Sequence, residues 1–275
     1  MRYPIPESLR EHVVDAEKRG VPVPRDAATI ALVRDGDSVT GGGIEAYLMR
    51  RHSTMEFAAG MYVFPGGKVQ DSDQLVDAWV GPSPEEWGER FGCDADTARG
   101  LVVAAVRETF EESGILLAGP DAGTVVADTS APEMQEARLN LEEGKYGFAE
   151  FLSRCGLVLR SDLVGGWSHW ITPPFEPRRY DTRFFVAALP TGQVVGELPG
   201  EADRAEWAPL ARVLEAVEAG KAQMLPPTVH TCRQLSEFTA ASVLAAAAER
   251  EITPIEPRIV EVDGELFLDN FQEEW

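Results

Sequence analysis

Basic residues are scarce in this chain. Twenty-five lysines and arginines stand against 46 aspartates and glutamates in 275 residues, a formal net charge of −21. That balance excludes nucleic acid and anionic membrane as principal partners, because both are held through basic patches. It leaves open an anionic small molecule, since a bound metal and a few arginines reverse the field locally. Cysteine is scarcer still. Cys93, Cys155 and Cys232 are odd in number and lack any C-x-x-C spacing, which argues against a disulfide framework and a zinc site and makes a reducing compartment the default. No apolar run reaches the length of a membrane span, and Met1-Arg2-Tyr3-Pro4 lacks the apolar core of a secretory signal. The end, Gln272-Glu273-Glu274-Trp275, carries no peroxisomal or retention signal. The expectation is a soluble, cytoplasmic protein. Repeats and separable linkers are also missing, so one domain over 1–275 is expected, with 44% hydrophobic residues to fill its core.

What is present centres on Arg107-Glu108-Thr109-Phe110-Glu111-Glu112-Ser113-Gly114-Ile115. The Ala, Val and Leu content from Leu101 to Phe110 predicts a buried helix, with an N-cap between Asp94 and Thr97 and Gly114 as the residue that ends it. Glu108, Glu111 and Glu112 then project from one face, spaced i, i+3 and i+4. Like charges at that spacing repel, and carboxylates near a helix C-terminus oppose the macrodipole. A divalent cation would remove the conflict, and all-oxygen ligation suits Mg²⁺ or Mn²⁺. A solvated acidic face on an acidic protein is the competing explanation.

Upstream, Phe64-Pro65-Gly66-Gly67-Lys68-Val69 reads as a short strand entering a Pro-Gly-Gly turn, where backbone can approach a ligand closely. The two stretches together resemble the Nudix box, G-x5-E-x7-R-E-U-x-E-E-x-G-U. The downstream half matches from Arg107 to Ile115, with Thr109 where a bulky aliphatic residue is usual. Upstream, Asp73 stands where the first glutamate belongs, and the gap to Arg107 is roughly 26 residues longer than the pattern. A box interrupted there resembles the subfamily that contains the peroxisomal coenzyme A diphosphatases. Further along, Trp170-Ile171-Thr172-Pro173, the run Arg179-Tyr180-Asp181-Thr182-Arg183-Phe184-Phe185 and the start at Pro226-Pro227-Thr228 resemble the same subfamily.

In chain order, residues 1–25 predict an N-terminal arm with a short helix from Glu7 to Lys18. Ala27–Val33 predicts a buried strand, and Glu45–Arg51 its hairpin partner, with Tyr47 and Met49 on one face and Leu48 on the other. Arg50 and Arg51 either face substrate phosphates or solvate a strand end, and Phe57 either stacks on a base or joins the core. Residues 74–98 form an insertion with a helix capped at Pro82-Ser83-Pro84-Glu85 and carrying Trp87 and Phe91, a folded cover that is either a lid or a graft. Ile115-Leu116-Leu117 predicts a strand, and Pro132–Glu143 and Gly147–Arg154 two amphipathic helices. Arg178, Arg179 and Arg183 gather positive charge suited to a diphosphate, or else to surface acids. His169, inside an aromatic strand, reads as structural ahead of catalytic. A strand from Gly196 to Glu201, resumed at Ala205, leads into a helix ending at Ala219, with Trp207 inside; Glu197 or Glu201 could add a ligand or base. Residues 226–275 predict a long helix, Val229–Glu249, and a hairpin turning at Asp263-Gly264.

The resemblance implies the α/β/α Nudix sandwich with a mixed sheet, here with a helical insertion and a C-terminal helical extension. It implies hydrolysis of a nucleoside diphosphate linked to another moiety, with coenzyme A or an acyl derivative as leading substrate. An ADP-ribose or NADH pyrophosphatase and a non-catalytic nucleotide sensor are the alternatives. Glu108, Glu111, Glu112 and the Gly67 carbonyl would hold Mg²⁺ or Mn²⁺. Arg107 would orient the carboxylates, and a glutamate not fully committed to metal, Glu108 in the first instance, would take the proton from water. Homodimerisation is a weak expectation of the same resemblance.

Overall fold

The computed structural model describes residues 2–4, 13, 15–16, 19–37, 42–53, 58–196, 202–263 and 265–269. Its strands are β1 (Arg2–Pro4), β2 (Arg25–Asp35), β3 (Ile44–Arg51), β4 (Tyr62–Val63), β5 (Gly66–Lys68), β6 (Trp79–Val80), β7 (Ala118–Gly119), β8 (Val158–Arg160), β9 (Gly165–Ile171), β10 (Tyr180–Ala188), β11 (Ala202–Pro209), β12 (Pro254–Ile255), β13 (Arg258–Val262) and β14 (Glu265–Asp269). The helices with bounds are α1 (Pro84–Phe91), α2 (Ala95–Ser113), α3 (Pro132–Glu142), α4 (Phe148–Cys155), α5 (Leu210–Glu218), α6 (Pro226–Leu235) and α7 (Val243–Ala248). Most of the helix expected over Glu7 to Lys18 lies outside the described residues, as do Phe57, Glu197 and Glu201.

β2 is apolar without alternation because both of its faces are covered. It lies inside a mixed sheet ordered β11-β3-β2-β10-β9-β12, with β4 on β3 and β5 on β2. β10 runs parallel to β2, and Arg183 stands beside Ala28. One face of the sheet, through Ala28, Ile30, Tyr47, Met49 and Phe185, packs against α1 to α4. The other, through Ala31, Val33, Leu48 and Val186, packs against Leu210 of α5, Cys232 and Leu235 of α6, and Val243 and Ala247 of α7. The architecture is an α/β/α sandwich. β1, β14 and β13 form a separate three-stranded sheet that joins the two ends of the chain.

Near their shared loop β2 and β3 pair directly, Val33 opposite Ala46, and further on they part. β4 and β5 fill the gap, one on each strand, with Pro65 at the crossing. The Pro65 carbonyl accepts from the Ile30 amide at 2.9 Å and the Thr29 hydroxyl at 2.5 Å. Pro65 is thus a bend, and Gly66 and Gly67 are strand, not turn. The glycines serve close approach: a Cβ on Gly66 would lie 2.5 Å from the Ala28 carbonyl oxygen.

The insertion is anchored through its aromatic residues. α1 opens on a capping box, with Ser83 accepting from the Glu86 amide at 3.3 Å and the Glu86 carboxylate accepting from the Ser83 amide at 2.7 Å. Trp87 and Phe91 stack at 5.4 Å, and Phe91 meets Phe185 of the central sheet edge-on at 5.3 Å. β6 pairs with β8, which also holds β7, so the insertion is sewn to the chain beyond the acidic helix. The Asp94 cap and Glu108 are 14 positions apart, about 20 Å at the α-helical rise. The α1 segment packs at the far end of α2 from the carboxylates, with Gly88 against Cys93, Asp94 and Ala95.

Three expectations need correction. Ile115-Leu116-Leu117 is buried but is not a strand: the Gln193 side chain accepts from the Leu116 amide (2.8 Å) and donates to its carbonyl (2.9 Å), supplying what a neighbouring strand would. The helix expected from Val229 to Glu249 is two, α6 and α7. Between them Thr239 and Ser242 bond to each other's groups, the Ala240 amide donates to Asp35 at 2.8 Å, and Phe238 folds back edge-on to Trp167. Trp207 is half-buried, lying under the Arg34 guanidinium at 4.5 Å and against Tyr47.

Candidate active site

α2 begins at Asp94, which accepts from the Thr97 amide at 2.9 Å, and stops at Gly114, whose φ of 76° is the left-handed cap conformation. At its C-terminal end Arg107 points inward, 2% exposed, and is the hub of the site. Its Nε and Nη2 reach the two oxygens of Asp73 at 2.9 and 3.1 Å, and Nη2 also donates to the Lys68 carbonyl at 3.0 Å. Nη1 lies 2.8 Å from a Glu108 oxygen and 3.2 Å from one of Glu111. Burial opposes the charge on Arg107, and the surrounding carboxylates hold it protonated.

Asp73 is fully buried, and it closes the interrupted motif. A 3₁₀ turn over Asp71–Leu75 brings its backbone close, and the same carboxylate accepts from the Gln70 amide at 2.8 Å. The shorter acid reaches Arg107 because the chain itself leans in.

Glu112 accepts from the Gly66 amide at 2.7 Å, binding α2 to β5. Gly67 is closer still: a Cβ there would stand 2.3 Å from the Glu108 carboxylate. Glu111 is pushed up to about 7, chiefly by burial, with Glu108 and Asp73 adding to the effect and Arg107 opposing it. Burial likewise pushes Tyr47, which feels the charges of Arg138 and Glu112, up to about 12. The Thr109 hydroxyl is buried and donates to the Ala105 carbonyl at 2.8 Å, which satisfies a polar group where an aliphatic is usual.

The donors offered here are all oxygen, the chemistry Mg²⁺ or Mn²⁺ requires. Three carboxylates, Asp73, Glu108 and Glu111, share the single guanidinium of Arg107, and this surplus of negative charge is what a divalent cation fits. Among the described residues no three His, Cys, Asp or Glu side chains converge as a ready cage. Glu108 and Glu111 turn to Arg107, and Glu112 to Gly66.

The basic residues divide. Arg179 is buried, and donates to the Thr172 and Pro22 carbonyls (2.9 and 2.8 Å) and to Glu256. It ties three segments together, the pairing with an acid that the sequence offered as the alternative to a substrate contact. Arg183 is buried too, paired with Asp181 and, at 3.6 Å, with Asp26. Asp181 also holds His169, and although burial works against it, these partners keep Asp181 below the usual carboxylate range. His169 is thus a structural partner. Arg50 is fixed bidentately to Asp203 at 2.7 and 2.9 Å, and strand alternation puts it on the face of Leu48, away from α2. Arg51, half-buried, falls on the Tyr47 and Met49 face, and Arg178 is exposed.

Sequence reasoning passed over Arg138 and Gln193. Arg138, 4% exposed on α3, donates from Nε to the Glu111 main-chain carbonyl at 2.8 Å. An arginine within an otherwise amphipathic helix was the one signal of it; Gln193, in a Pro-Thr-Gly loop, left none.

A mixed-sheet sandwich whose glycine strand meets an R-E-x-x-E-E helix is the Nudix fold, and the chain belongs to the Nudix hydrolase family. The family model that matches is the NUDT19 Nudix domain, over residues 94–235. A crystal structure of a NUDIX hydrolase from Alicyclobacillus acidocaldarius is 30% identical with a TM-score of 0.69, covering 84% of this chain and 99% of that one. Among characterised relatives, acyl-coenzyme A diphosphatase NUDT19 of Xenopus laevis is 25% identical over 229 residues, 70% of this chain and 60% of the relative. The Homo sapiens protein of the same name is 25% identical over 237 residues, 74% and 63% of the two chains. The match thus spans about three-fifths of those relatives' length.

Proposed function

We propose that the protein is a divalent-metal-dependent diphosphatase that cleaves coenzyme A or its acyl derivatives into 3′,5′-ADP and a 4′-phosphopantetheine part. The observation that carries the reaction class is the buried Arg107 hub, with Glu108, Glu111 and Glu112 set against the Gly66-Gly67 strand. The similarity to acyl-coenzyme A diphosphatase NUDT19 supports the substrate.

Glu108, Glu111, Glu112 and the Gly67 carbonyl would hold Mg²⁺ or Mn²⁺, which supplies charge neutralisation for the diphosphate and acidifies a water. A glutamate not fully committed to metal, Glu108 or Glu111, would take that water's proton. Asp73 holds Arg107, and Arg107 holds Glu108 and Glu111 at fixed orientation. Arg51, on the Tyr47 and Met49 face, and the exposed Arg178 would meet substrate phosphates, as the similarity in sequence suggests.

The test is product release from coenzyme A, an acyl-coenzyme A, ADP-ribose and NADH with Mg²⁺ or Mn²⁺, alongside Glu111→Gln and Glu112→Gln. Release of 3′,5′-ADP by the wild type, reduced about 100-fold or more in both variants, is expected. Preference for ADP-ribose or NADH would overturn the substrate, and nucleotide binding without turnover would overturn the enzyme.

A further inference from the structure

The last turn of α2 carries Glu111 and Glu112 and no basic residue of its own. Its final carbonyls have no intrahelical donors, and they form the negative end of the helix dipole. Negative charge is therefore stacked on negative charge, and the sequence of α2 offers nothing against it.

Two of the missing donors arrive from elsewhere in the fold. The Glu111 carbonyl accepts from Arg138 Nε at 2.8 Å and the Ser113 carbonyl from the Gly196 amide at 2.8 Å, while the Phe110 carbonyl is met by the helix's own cap, the Gly114 amide, at 2.9 Å. Both of those glycines lie against the Arg138 guanidinium: a Cβ on Gly196 would be 2.5 Å from its Nη1, and one on Gly114 3.6 Å. Gln193, three positions before Gly196, holds the backbone of Leu116, just beyond the helix. Arg138 is 96% removed from solvent, and its guanidinium donates from Nε to the main chain of Glu111 and from Nη1 to Gln135 of its own helix at 3.4 Å.

We propose that Arg138 is a positioning residue for hydrolysis: it pins the last turn of α2 and supplies the cation that turn lacks, so that Glu111 and Glu112 are presented in one geometry. It touches neither substrate nor metal. The inference rests on the functional reading above only in taking the α2 carboxylates as the working groups.

The experiment uses the full chain, with Arg138→Met, which keeps the bulk and removes the donors, and Arg138→Lys, which keeps the charge. Three quantities are read: amide hydrogen exchange at residues 110–117, Mn²⁺ affinity by electron paramagnetic resonance, and kcat and KM for coenzyme A. In Arg138→Met, exchange speeds up at 110–117, Mn²⁺ binds roughly 10-fold more weakly, and kcat falls roughly 10- to 100-fold with KM within about twofold. Arg138→Lys recovers part of each loss. Wild-type exchange in Arg138→Met overturns the proposal, whether or not the protein hydrolyses any of the diphosphates. Faster exchange with unchanged Mn²⁺ affinity and kcat also overturns it, by reducing Arg138 to a packing contact. Should Arg138→Met not fold, Arg138→Lys decides: a smaller kcat loss at constant KM supports the role, and wild-type kcat overturns it. Absence of turnover in the wild type, with Mn²⁺ still bound more weakly by Arg138→Met, would overturn the functional reading and leave the positioning intact.

Discussion

Arg107 and Arg179 are both buried, 2% and 8% exposed, and they live in opposite circumstances. Around Arg107 three carboxylates compete for one guanidinium. Around Arg179 one carboxylate, Glu256, and the carbonyls of Thr172 and Pro22 take the donors, and the account balances. A matched arginine holds segments together; an outnumbered one marks where the fold tolerates charge it does not cancel. Both lie in stretches that match the same subfamily, so only the surroundings tell them apart.

The contrast breaks most easily at Arg107. Arg107→Met strands the fully buried Asp73 and should cost about 3–5 kcal/mol of stability along with hydrolysis. An unchanged denaturation midpoint would mean that the hub is not the strained centre described here. The surplus charge itself is read through pH. Glu111 is raised from 4.5 to about 7, so between those values the folded state binds more protons than the unfolded one. In EDTA, stability should therefore be greatest below about pH 4.5 for this group and fall by roughly 2–4 kcal/mol as pH rises through 7. Glu111→Gln should flatten that slope, as should added Mg²⁺, and urea titrations from pH 4.5 to 8 would detect it. The smallest effect belongs to Arg179→Met, which should lower stability by about 1–3 kcal/mol and leave kcat and KM within about twofold. A selective loss of kcat there would restore Arg179 to the site and erase the comparison.

Much of the layout was legible in the residues. The apolar run Ala27–Val33, the alternation of Tyr47, Leu48 and Met49, the caps at Ser83, Asp94 and Gly114, and the face shared by Glu108, Glu111 and Glu112 all follow from local rules that the fold obeys. The misreadings share a cause. Gln193 satisfying Leu116, Arg138 reaching the Glu111 carbonyl and Asp35 accepting from Ala240 are bonds across 77, 27 and 205 positions. Periodicity and capping speak only of neighbours. Charge clustering left two readings open for the same reason: Arg178, Arg179 and Arg183 are near one another in sequence, but the fold sends Arg179 to Glu256 and Arg183 to Asp181.

The ion pair of Asp73 with Arg107 spans 34 positions, whereas an uninterrupted box closes it over about eight. Two doublings of a slack loop would raise the entropy of closure by about 1 kcal/mol. The intervening chain is not slack, since the Ser83 capping box and the Trp87–Phe91 stack of α1 shorten the effective loop. The interrupted motif therefore costs the fold little in closure entropy, because the chain between its two halves is itself folded.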